Sequence, residues 1–455
     1  MKFKIFSIII VLFSYPSFSQ TYQNILNYNI EIGTQVGNGT YAPLWFTANR
    51  YGLVNNEPNS AYLKAGFTYH KSFKKDWRIQ AGMDLTGGIN QISSVYLQQF
   101  YIDFGWKALN LSFGRKERPG FPLQKNERLS SGMLVEGANA RPVPQIRAEI
   151  ANFLNVPGTN GWLAFKGHLA YGQFAENDWQ KDYVSTGKRY VKDVLYHSKS
   201  LMLRLGNKEK LPVEFELGIL MAAQFGGDQY IKDSNGTGEK VLDMPNNWKA
   251  YWKAFLPQAG GGETPEGEQV NVEGNHVGSW NFALNYYLND WKFRVYLEHY
   301  FEDTSEMFWE YGRWKDGQLG LEVTFPQNRW VSWESMCTKD QAGPLLYDGF
   351  WGQFPEYQIS AADDYYNHYI YGAWQYMGMG MGNALLLGPL YNKDHSISFR
   401  SNRENHSLNG DIDCYFHMYD IGGHMVIHWT NNENSSAPCW NLHILHADIK
   451  DGVAV

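Results

Sequence analysis

Cysteine and long apolar runs are both scarce in this sequence, and each shortage excludes a class of protein. Three cysteines in 455 residues are too few for a disulfide scaffold. Beyond the N-terminus, no stretch offers the roughly 18 or more apolar residues that a membrane-spanning helix needs. The motifs GxSxG and HExxH, the P-loop and the dinucleotide-binding pattern are also absent. The sequence therefore indicates no cofactor and no metal, and it predicts a protein that is not an enzyme.

The charge of the chain excludes a further class of partner. The formal net charge is -7, and the 39 basic and 46 acidic residues are spread along the sequence. This balance implies no nucleic-acid partner.

The N-terminus, MKFKIFSIIIVLFSYPSFSQ, has the parts of a secretory signal peptide. Lys2 and Lys4 precede an apolar run over residues 5–13, and small residues lead to Ser19. The apolar run is too short to span a bilayer. We therefore expect residues 1–19 to be a signal peptide that is cleaved after Ser19, and the mature chain to be exported.

What the sequence has in abundance is alternation of apolar and polar residues. Residues 77–88 read WRIQAGMDLTGG, in which Trp77, Met83 and Leu85 alternate with residues such as Arg78 and Asp84. A strand with this pattern has one apolar face and one polar face. Similar stretches begin near residues 28, 63, 109, 163, 214, 280, 291 and 319. About a dozen such strands, with no Pro/Gly/Ser linker between them, predict one continuous β-domain.

Soluble β-sandwiches also alternate, so alternation alone leaves two architectures open. Three features favour a membrane barrel: charged residues on the polar faces, Trp and Tyr at strand ends, and short turns such as Phe73–Asp76 that interchange with long loops such as Asp228–Asn275. Outer-membrane barrels have a lipid-facing apolar band, aromatic girdles, and turns of unequal length at the two ends. We therefore predict an all-β fold, a transmembrane antiparallel β-barrel over residues 20–412, surrounded by outer-membrane lipid.

One basic segment stands out, FGRKERPGFPLQKNERLSSGMLVEGANARPVPQIR at residues 113–147. Arg115, Lys116 and Arg118 lead it, and four prolines prevent regular structure through much of it. A stiff basic loop can hold guanidinium groups toward the carboxylates or phosphates of an acidic polymer. The alternative is that these side chains pair with acidic residues in the lumen and hold an inward-folded loop.

An aromatic segment, DDYYNHYIYGAWQYMGMGMGN at residues 363–383, has the composition of a sugar-binding surface. Asp363, Asp364, Tyr365, Tyr366 and Trp374 combine aromatic faces with carboxylates, which can stack on a pyranose ring and bind its hydroxyls. The alternative is an interfacial girdle or a loop packed over the barrel mouth. Adjacent carboxylates suit the two opposed groups of a glycosidase poorly.

A second aromatic cluster lies between Pro245 and Pro257. Trp248, Tyr251, Trp252 and Phe255 follow a helical spacing. We expect a short extracellular helix here that packs onto the barrel rather than binding a ligand.

The motifs FGRKER...SSGMLVEGANARPVPQI and DDYYNHYIYGAWQYMGMGMGN resemble the capsule assembly Wzi family of outer-membrane proteins, in its Bacteroidetes-type form. The resemblance extends over residues 24–410. It implies an outer-membrane barrel, of 18 strands in the family type, that acts as a lectin-like protein. Its implied role is to attach or organise capsular or other acidic surface polysaccharide. The alternative function is an outer-membrane porin or glycan-uptake channel.

The barrel pattern weakens near Asp413, and residues 413–455 hold five of the 13 histidines and two of the three cysteines. Translated in a displaced frame with permitted synonymous codons, this region can read LLFSHVRHWGTYGNPLD and SSLLELTY, which resemble closing strands of the family. We therefore expect residues 413–455 to be an out-of-frame tail that replaces the last strands, so that its His and Cys are not ligands.

Overall fold

The computed structural model describes residues 25–37, 39–42, 44–118, 122–126, 129–258, 272–302, 307, 316–326, 329–338 and 364–399. It also describes the backbone of five short strands after residue 412. The expected signal peptide, residues 1–19, lies outside the described residues.

One large antiparallel sheet dominates the structure, and its strands pair in chain order. Its first thirteen strands are β1 (Ile25–Gln35), β2 (Ser60–Ser72), β3 (Trp77–Ile89), β4 (Val95–Trp106), β5 (Leu109–Arg115), β6 (Gln145–Asn155), β7 (Leu163–Gln173), β9 (Leu195–Leu205), β10 (Val213–Phe225), β13 (Asn275–Leu288), β14 (Trp291–Phe301), β15 (Gly317–Phe325) and β16 (Arg329–Cys337). Each strand pairs antiparallel with the next in this series. The predicted all-β fold is confirmed.

Three further strands continue the same sheet, β21 (Asp413–Asp420), β22 (Gly423–Thr430) and β23 (Cys439–Leu445). The described sheet thus has 16 strands, with β1 and β23 at the two ends of the order, against 18 in the family type. A separate two-stranded sheet joins β24 (Ile449–Lys450) to β25 (Val453–Ala454). That residues 413–455 are out of frame stays a prediction, which resequencing the locus would test.

The connections differ sharply between the two ends of the sheet. At the short-turn end, strands join through tight turns such as Lys107–Ala108 and the predicted turns at 73–76 and 289–290. Lys75, Lys107 and Asn289 adopt positive φ there, as tight turns often require. At the long-loop end the connections carry their own structure: α1 (Leu44–Thr47), α2 (Trp179–Tyr183), α3 (Trp248–Phe255), and a small sheet of β8 (Arg189–Lys192), β11 (Asp228–Ile231) and β12 (Glu239–Asp243). The remaining short elements are hairpins β17 (Asn367–His368) with β18 (Gly372–Ala373) and β19 (Gln375–Tyr376) with β20 (Met379–Gly380), and 3₁₀ turns at Lys74–Asp76 and Pro389–Tyr391.

The two faces of the main sheet have opposite chemistry. In β3, Trp77 and Leu85 point outward and are exposed, whereas Asp84 points inward and is buried. The same division holds along β9, where alternate leucines are exposed on the outer face. Aromatic pairs such as Trp77 with Trp106, 6.1 Å between ring centroids, lie at the short-turn end. An outer apolar face bordered by aromatic residues is the lipid-facing surface of a transmembrane β-barrel.

The inner face is polar, and its charges are paired. Lys64 pairs with Glu31 at 2.8 Å, Arg147 with Glu149 at 2.7 Å, and Arg294 with Glu216 at 3.4 Å. Charges withdrawn from water need such partners, because an unpaired buried charge is costly. Among the described helices, none combines the length and apolar character needed to cross a membrane.

Two chain segments fold into the space that the sheet encloses, and we call their described residues the plug: residues 116–118, 122–126 and 129–144 of the first segment, and residues 364–399 of the second. Ser130 Oγ donates to Glu334 of β16 at 2.7 Å, while Gln224 of β10 donates to the Ala373 carbonyl at 3.3 Å. From a third strand of the wall, Arg115 of β5 donates to Tyr376 Oη at 3.0 Å. Strands far apart in the sheet order thus contact the same two segments. The sheet therefore curves around the plug, whose described residues occupy much of the space that the sheet encloses.

Candidate functional site

The predicted aromatic site residues form the interior of the plug. Trp374 is 0% exposed, and its indole N–H donates to the Val135 carbonyl at 2.8 Å. The Tyr366 hydroxyl donates to the Leu134 carbonyl, and the Tyr365 hydroxyl donates to Asp316 Oδ2 at 2.9 Å. These bonds join the two plug segments to each other and to the wall. The three aromatic residues thus pack the plug, and their predicted binding of polysaccharide stays a prediction.

Close packing between the two plug segments requires a small residue at the crossing point. A Cβ atom on Gly382 would lie 2.4 Å from Tyr366 Oη and 2.5 Å from the Leu134 carbonyl oxygen. Tyr366 itself has a φ of 68°, an uncommon conformation for a tyrosine. The backbone N–H of Tyr366 is held by Glu302 Oε1 at 2.6 Å. The contacts of Tyr366 and Gly382 with Leu134 and Glu302 therefore fix the position of the second plug segment.

Of the predicted basic residues, Lys116 and Arg118 face the interior, and Arg115 at the end of β5 bonds to both wall and plug. Arg115 donates to the Leu97 carbonyl at 2.8 Å as well as to Tyr376, and Lys116 pairs with Asp103 at 2.5 Å. Arg118 donates to Ser112 Oγ at 2.7 Å. Burial, together with the nearby Arg147, lowers the pKa of Arg118 to about 10. All three have partners in the wall or plug, so the alternative of an inward-folded loop fits their surroundings, and polymer binding by them stays a prediction.

Lys116 and Arg118 line an internal cavity of about 80 Å³, together with Glu136, Arg141 and Arg147. A cavity of this size has room for several water molecules. Burial raises the pKa of the Glu136 carboxyl. Binding of a polysaccharide by Lys116 and Arg118 in this cavity stays a prediction.

A much larger cleft opens on the outer surface of the plug. Its volume is about 830 Å³. It lies between plug residues and the β8 strand of the long-loop end. The polar and aromatic residues that line it include Lys188, Arg189, Asp364, Asn367, His368, Tyr369, Asn392, Lys393, Asp394 and Ser396. Asp364 is thus the predicted site residue that lines the cleft, whereas Asp363 lies outside the described residues.

An exposed tyrosine stands in this cleft. Tyr369 is 49% exposed, and its ring lies 5.0 Å from the His368 ring at an interplanar angle of 27°. Gln229 of β11 donates to the Tyr369 carbonyl at 2.9 Å and to the Ile370 carbonyl at 2.6 Å, which holds this stretch in place. A fixed aromatic face that is open to solvent can stack on the CH groups of a sugar.

His368 beside it is neutral. Its Nδ1 accepts a hydrogen bond from the Ile370 backbone N–H at 3.2 Å, which requires an unprotonated nitrogen. Burial lowers the pKa of His368 to about 3. The ring therefore offers hydrogen bonds but no charge to a ligand at neutral pH.

The charges in the cleft are unequal. Lys188, Arg189 and Lys393 are the cations, and Asp364 and Asp394 are the carboxylates among its lining residues. Lys188 Nζ lies 2.8 Å from Asp394 Oδ2, and this contact lowers the pKa of Asp394 to about 2. One positive charge thus remains in excess, and it favours an acidic ligand.

Sequence reasoning did not single out the three cleft cations. They come from two loops about 200 residues apart, at 188–189 and at 393, and neither loop has an unusual composition. The charged stretch NKDHS at 392–396 is the sequence signal that could have indicated the Lys393 side of the cleft. Within the described residues, no group of three or more His, Cys, Asp or Glu side chains could hold a metal ion.

Comparison with known proteins adds weak similarities. The sequence matches no family model and no curated protein. Wzi of Escherichia coli, an outer-membrane protein involved in group 1 capsule assembly and described as a carbohydrate-binding β-barrel, has 14% identity and a TM-score of 0.47, covering 90% of this chain and 71% of its own. A mutant of the Rh. blastica porin has 9% identity and a TM-score of 0.26, covering 69% and 94%. Salmonella typhi OmpF in complex with daunomycin has 8% identity and a TM-score of 0.29, covering 69% and 91%. Because all three scores lie below 0.5, these likenesses assign no role to the chain.

Proposed function

We propose that this chain is a non-enzymatic barrel of the outer membrane that binds acidic surface polysaccharide at its long-loop end. The observation that carries the proposal is the cleft, where Tyr369 stands exposed among an excess of cations. Sugar-binding proteins combine an aromatic face with hydrogen-bonding groups, and an acidic polymer adds attraction to cations. Asn367 and Asn392 also line the cleft, where their amides donate to the Phe399, Ser396 and Ser398 carbonyls and so hold its wall in place.

The architecture and the N-terminal sequence support a location in the outer membrane. An outer apolar face on a β-sheet needs lipid, and the N-terminal sequence has the pattern of a signal peptide. The long-loop end then faces the cell exterior and the short-turn end faces the periplasm. The cleft would thus meet polymers at the cell surface.

Attachment or organisation of capsular polysaccharide is the cellular role that we propose for this binding. The support is the resemblance of residues 113–147 and 363–383 to the capsule assembly Wzi family.

A porin or glycan-uptake channel is the second candidate, and the plug disfavours it. Diffusion of solutes needs a continuous aqueous path. In the described residues, Trp374 and Tyr366 are buried where the path would run, and hydrogen bonds hold them on both plug segments. An uptake channel of this sequence would need the plug to move.

Catalysis by the cleft carboxylate Asp394 is disfavoured by its ionisation. A glycosidase needs a carboxyl group whose pKa is raised, so that it can donate a proton near neutral pH. The Lys188 ammonium instead lowers the pKa of Asp394. Asp394 therefore stays ionised and serves to position Lys188.

A deletion strain and purified protein together test the proposal. We expect the deletion to release surface polysaccharide into the medium, and the purified barrel to bind acidic polymers on a glycan array. Tyr369→Ala should weaken that binding, whereas Trp162→Ala, an exposed aromatic change at the short-turn end, should not. Unchanged surface polysaccharide in the deletion strain, together with solute conductance of the purified barrel in planar bilayers, would overturn the proposal in favour of the porin.

A further inference from the structure

The helix α3 lies against the outer wall of the barrel and not over its mouth. Ala250 and Ala254 are buried on one side of the helix, in contact with Phe225 of β10. Phe225 belongs to the outward-facing row of β10, because it alternates with Gln224, which points inward to the plug. Tyr251 also lies against the wall, 5.4 Å from Tyr171 of β7. The predicted helix is thus confirmed, and its position is the outer face near the long-loop end.

The helix covers polar groups on that face. His197 and Lys199 are in the outward row of β9, which continues below as exposed leucines. The Lys199 ammonium donates to the Phe255 carbonyl at the end of the helix, and its Nζ lies 4.7 Å from the centre of the Phe255 ring. His197 packs against the same ring with centroids 6.0 Å apart. The helix therefore shields a lysine and a histidine that would otherwise face lipid.

The opposite side of α3 is aromatic and exposed. Trp248 and Trp252 are four residues apart and share one side of the helix, about 200° around the axis from Ala250 and Ala254 respectively. They are 75% and 51% exposed. Lys249 beside them is also exposed. Asn247 Oδ1 accepts hydrogen bonds from the Lys249 and Ala250 backbone N–H groups at 2.9 and 3.2 Å, which fixes the start of the helix.

The height of the helix can be read from β9. A strand tilted by about 40° rises roughly 2.5 Å per residue along the barrel axis. Lys199 is six residues above Leu205, which places it roughly 15 Å above the lower end of the strand, and Leu195 lies roughly 25 Å above it. The apolar band of such barrels is about 25 Å tall. The helix thus extends from the level of Leu195, at the upper edge of the lipid-facing band, down to that of Lys199, about 10 Å lower, beside the exposed leucines of β9.

We propose that α3 is an interfacial helix that inserts Trp248 and Trp252 into the outer leaflet of the membrane. Tryptophan favours the boundary between acyl chains and headgroups, because its ring is apolar and its N–H can find a polar partner there. Lys249 at the same level is positioned to meet lipid phosphate groups. The occupant of this surface is therefore an anionic lipid leaflet, and the helix fixes the height of the barrel mouth, and of the cleft, above it.

Site-directed spin labelling tests the inference on the full chain in liposomes that contain anionic lipid. Cys337, Cys414 and Cys439 are first replaced by serine, and Trp252→Cys then carries the label. Leu201→Cys, on the lipid-facing wall, and Ser234→Cys, in the exposed β11–β12 turn, are the matched controls. We expect the label at 252 to be several-fold more accessible to oxygen than to a water-soluble nickel complex, as at 201 but at a shallower depth.

Two results would overturn the inference. Nickel accessibility at 252 equal to that at 234 would mean that the helix faces water. Spin–spin broadening at 252, lost when the labelled protein is diluted with unlabelled protein, would mean that a second copy of the chain covers this surface. A label at Lys249→Cys repeats the measurement without removing a tryptophan, and the signals at 201 and 234 report whether the barrel has folded.

Discussion

Arg115, Lys116 and Arg118 have the same chemistry as Lys188, Arg189 and Lys393, but the two groups lie in different surroundings. The inner group contacts the Leu97 carbonyl, Asp103 and Ser112 inside the barrel. The cleft group lines an open space on the long-loop end. The inner cations bond to groups of the wall and plug, whereas under our proposal the cleft cations bind an acidic ligand. Residue type and local charge density therefore do not by themselves distinguish a structural group from a binding group.

Trp374 and Tyr369 show the same contrast, because Trp374 is buried in the plug and Tyr369 is exposed in the cleft. Replacing Trp374 should give the largest effect on stability. Trp374→Ala should lower the free energy of unfolding by about 3–5 kcal/mol, because it removes a fully buried ring and leaves the Val135 carbonyl without its donor. Tyr369→Ala should lower it by less than about 1 kcal/mol, because the ring is half exposed. Denaturant unfolding of the purified protein in detergent measures both. Equal effects would contradict the division between plug and cleft.

Two triple variants, one for each basic group, test whether the two groups differ in function. Lys188→Ala, Arg189→Ala and Lys393→Ala together should lower affinity for acidic polymer by about tenfold at physiological ionic strength, since exposed charge contacts contribute roughly 0.2–1 kcal/mol each. The remaining affinity should depend less on salt, because screening acts on the lost contacts. Binding titrations over a salt series provide the measurement.

The matched inner variant combines Arg115→Ala, Lys116→Ala and Arg118→Ala. It should leave polymer affinity and its salt dependence unchanged but lower the stability of the barrel, because Asp103 would lose its buried partner. If the inner variant instead removes the salt dependence, polymer reaches the lumen, and the binding role predicted from the sequence is correct.

Stacking should contribute less than charge. Tyr369→Ala is expected to lower affinity about three- to tenfold, in line with roughly 0.5–1.5 kcal/mol for an aromatic contact. This loss should be the same at low and high salt. Tyr369→Phe, which keeps the ring, is the control and should retain most of the affinity. A loss that disappears at high salt would mean that Tyr369 acts through its charged neighbours.

The last prediction concerns pH. Burial lowers the pKa of His368 from its usual 6.5 to about 3, so the unfolded chain takes up this proton at a higher pH than the folded chain does. The contribution of His368 to stability is therefore complete above pH 6.5 and declines as pH falls toward 3. His368→Gln should make the fall in stability less steep over this window. Unfolding curves of both proteins at several pH values test this, and identical slopes would contradict it.

Much of the barrel wall could be predicted from the sequence, because alternation is a local property. In WRIQAGMDLTGG the geometry of a strand sends Trp77 and Leu85 to one side and Asp84 to the other, whatever surrounds them. The tight turns and the helix at 248–255 followed from equally local signals. These predictions needed no knowledge of distant contacts.

The tertiary structure decided which loop residues are buried in the plug and which line the cleft. Trp374 and Val135 are 239 residues apart, and Tyr366 and Leu134 are 232 apart, yet these contacts bury the aromatic residues that the sequence suggested for sugar binding. Lys188 and Asp394 likewise meet across 206 residues to form one side of the cleft. Whether an aromatic or basic side chain packs a plug or faces a ligand depends on which segment folds inward, and that choice is made by the summed burial and hydrogen bonding of the whole enclosed volume.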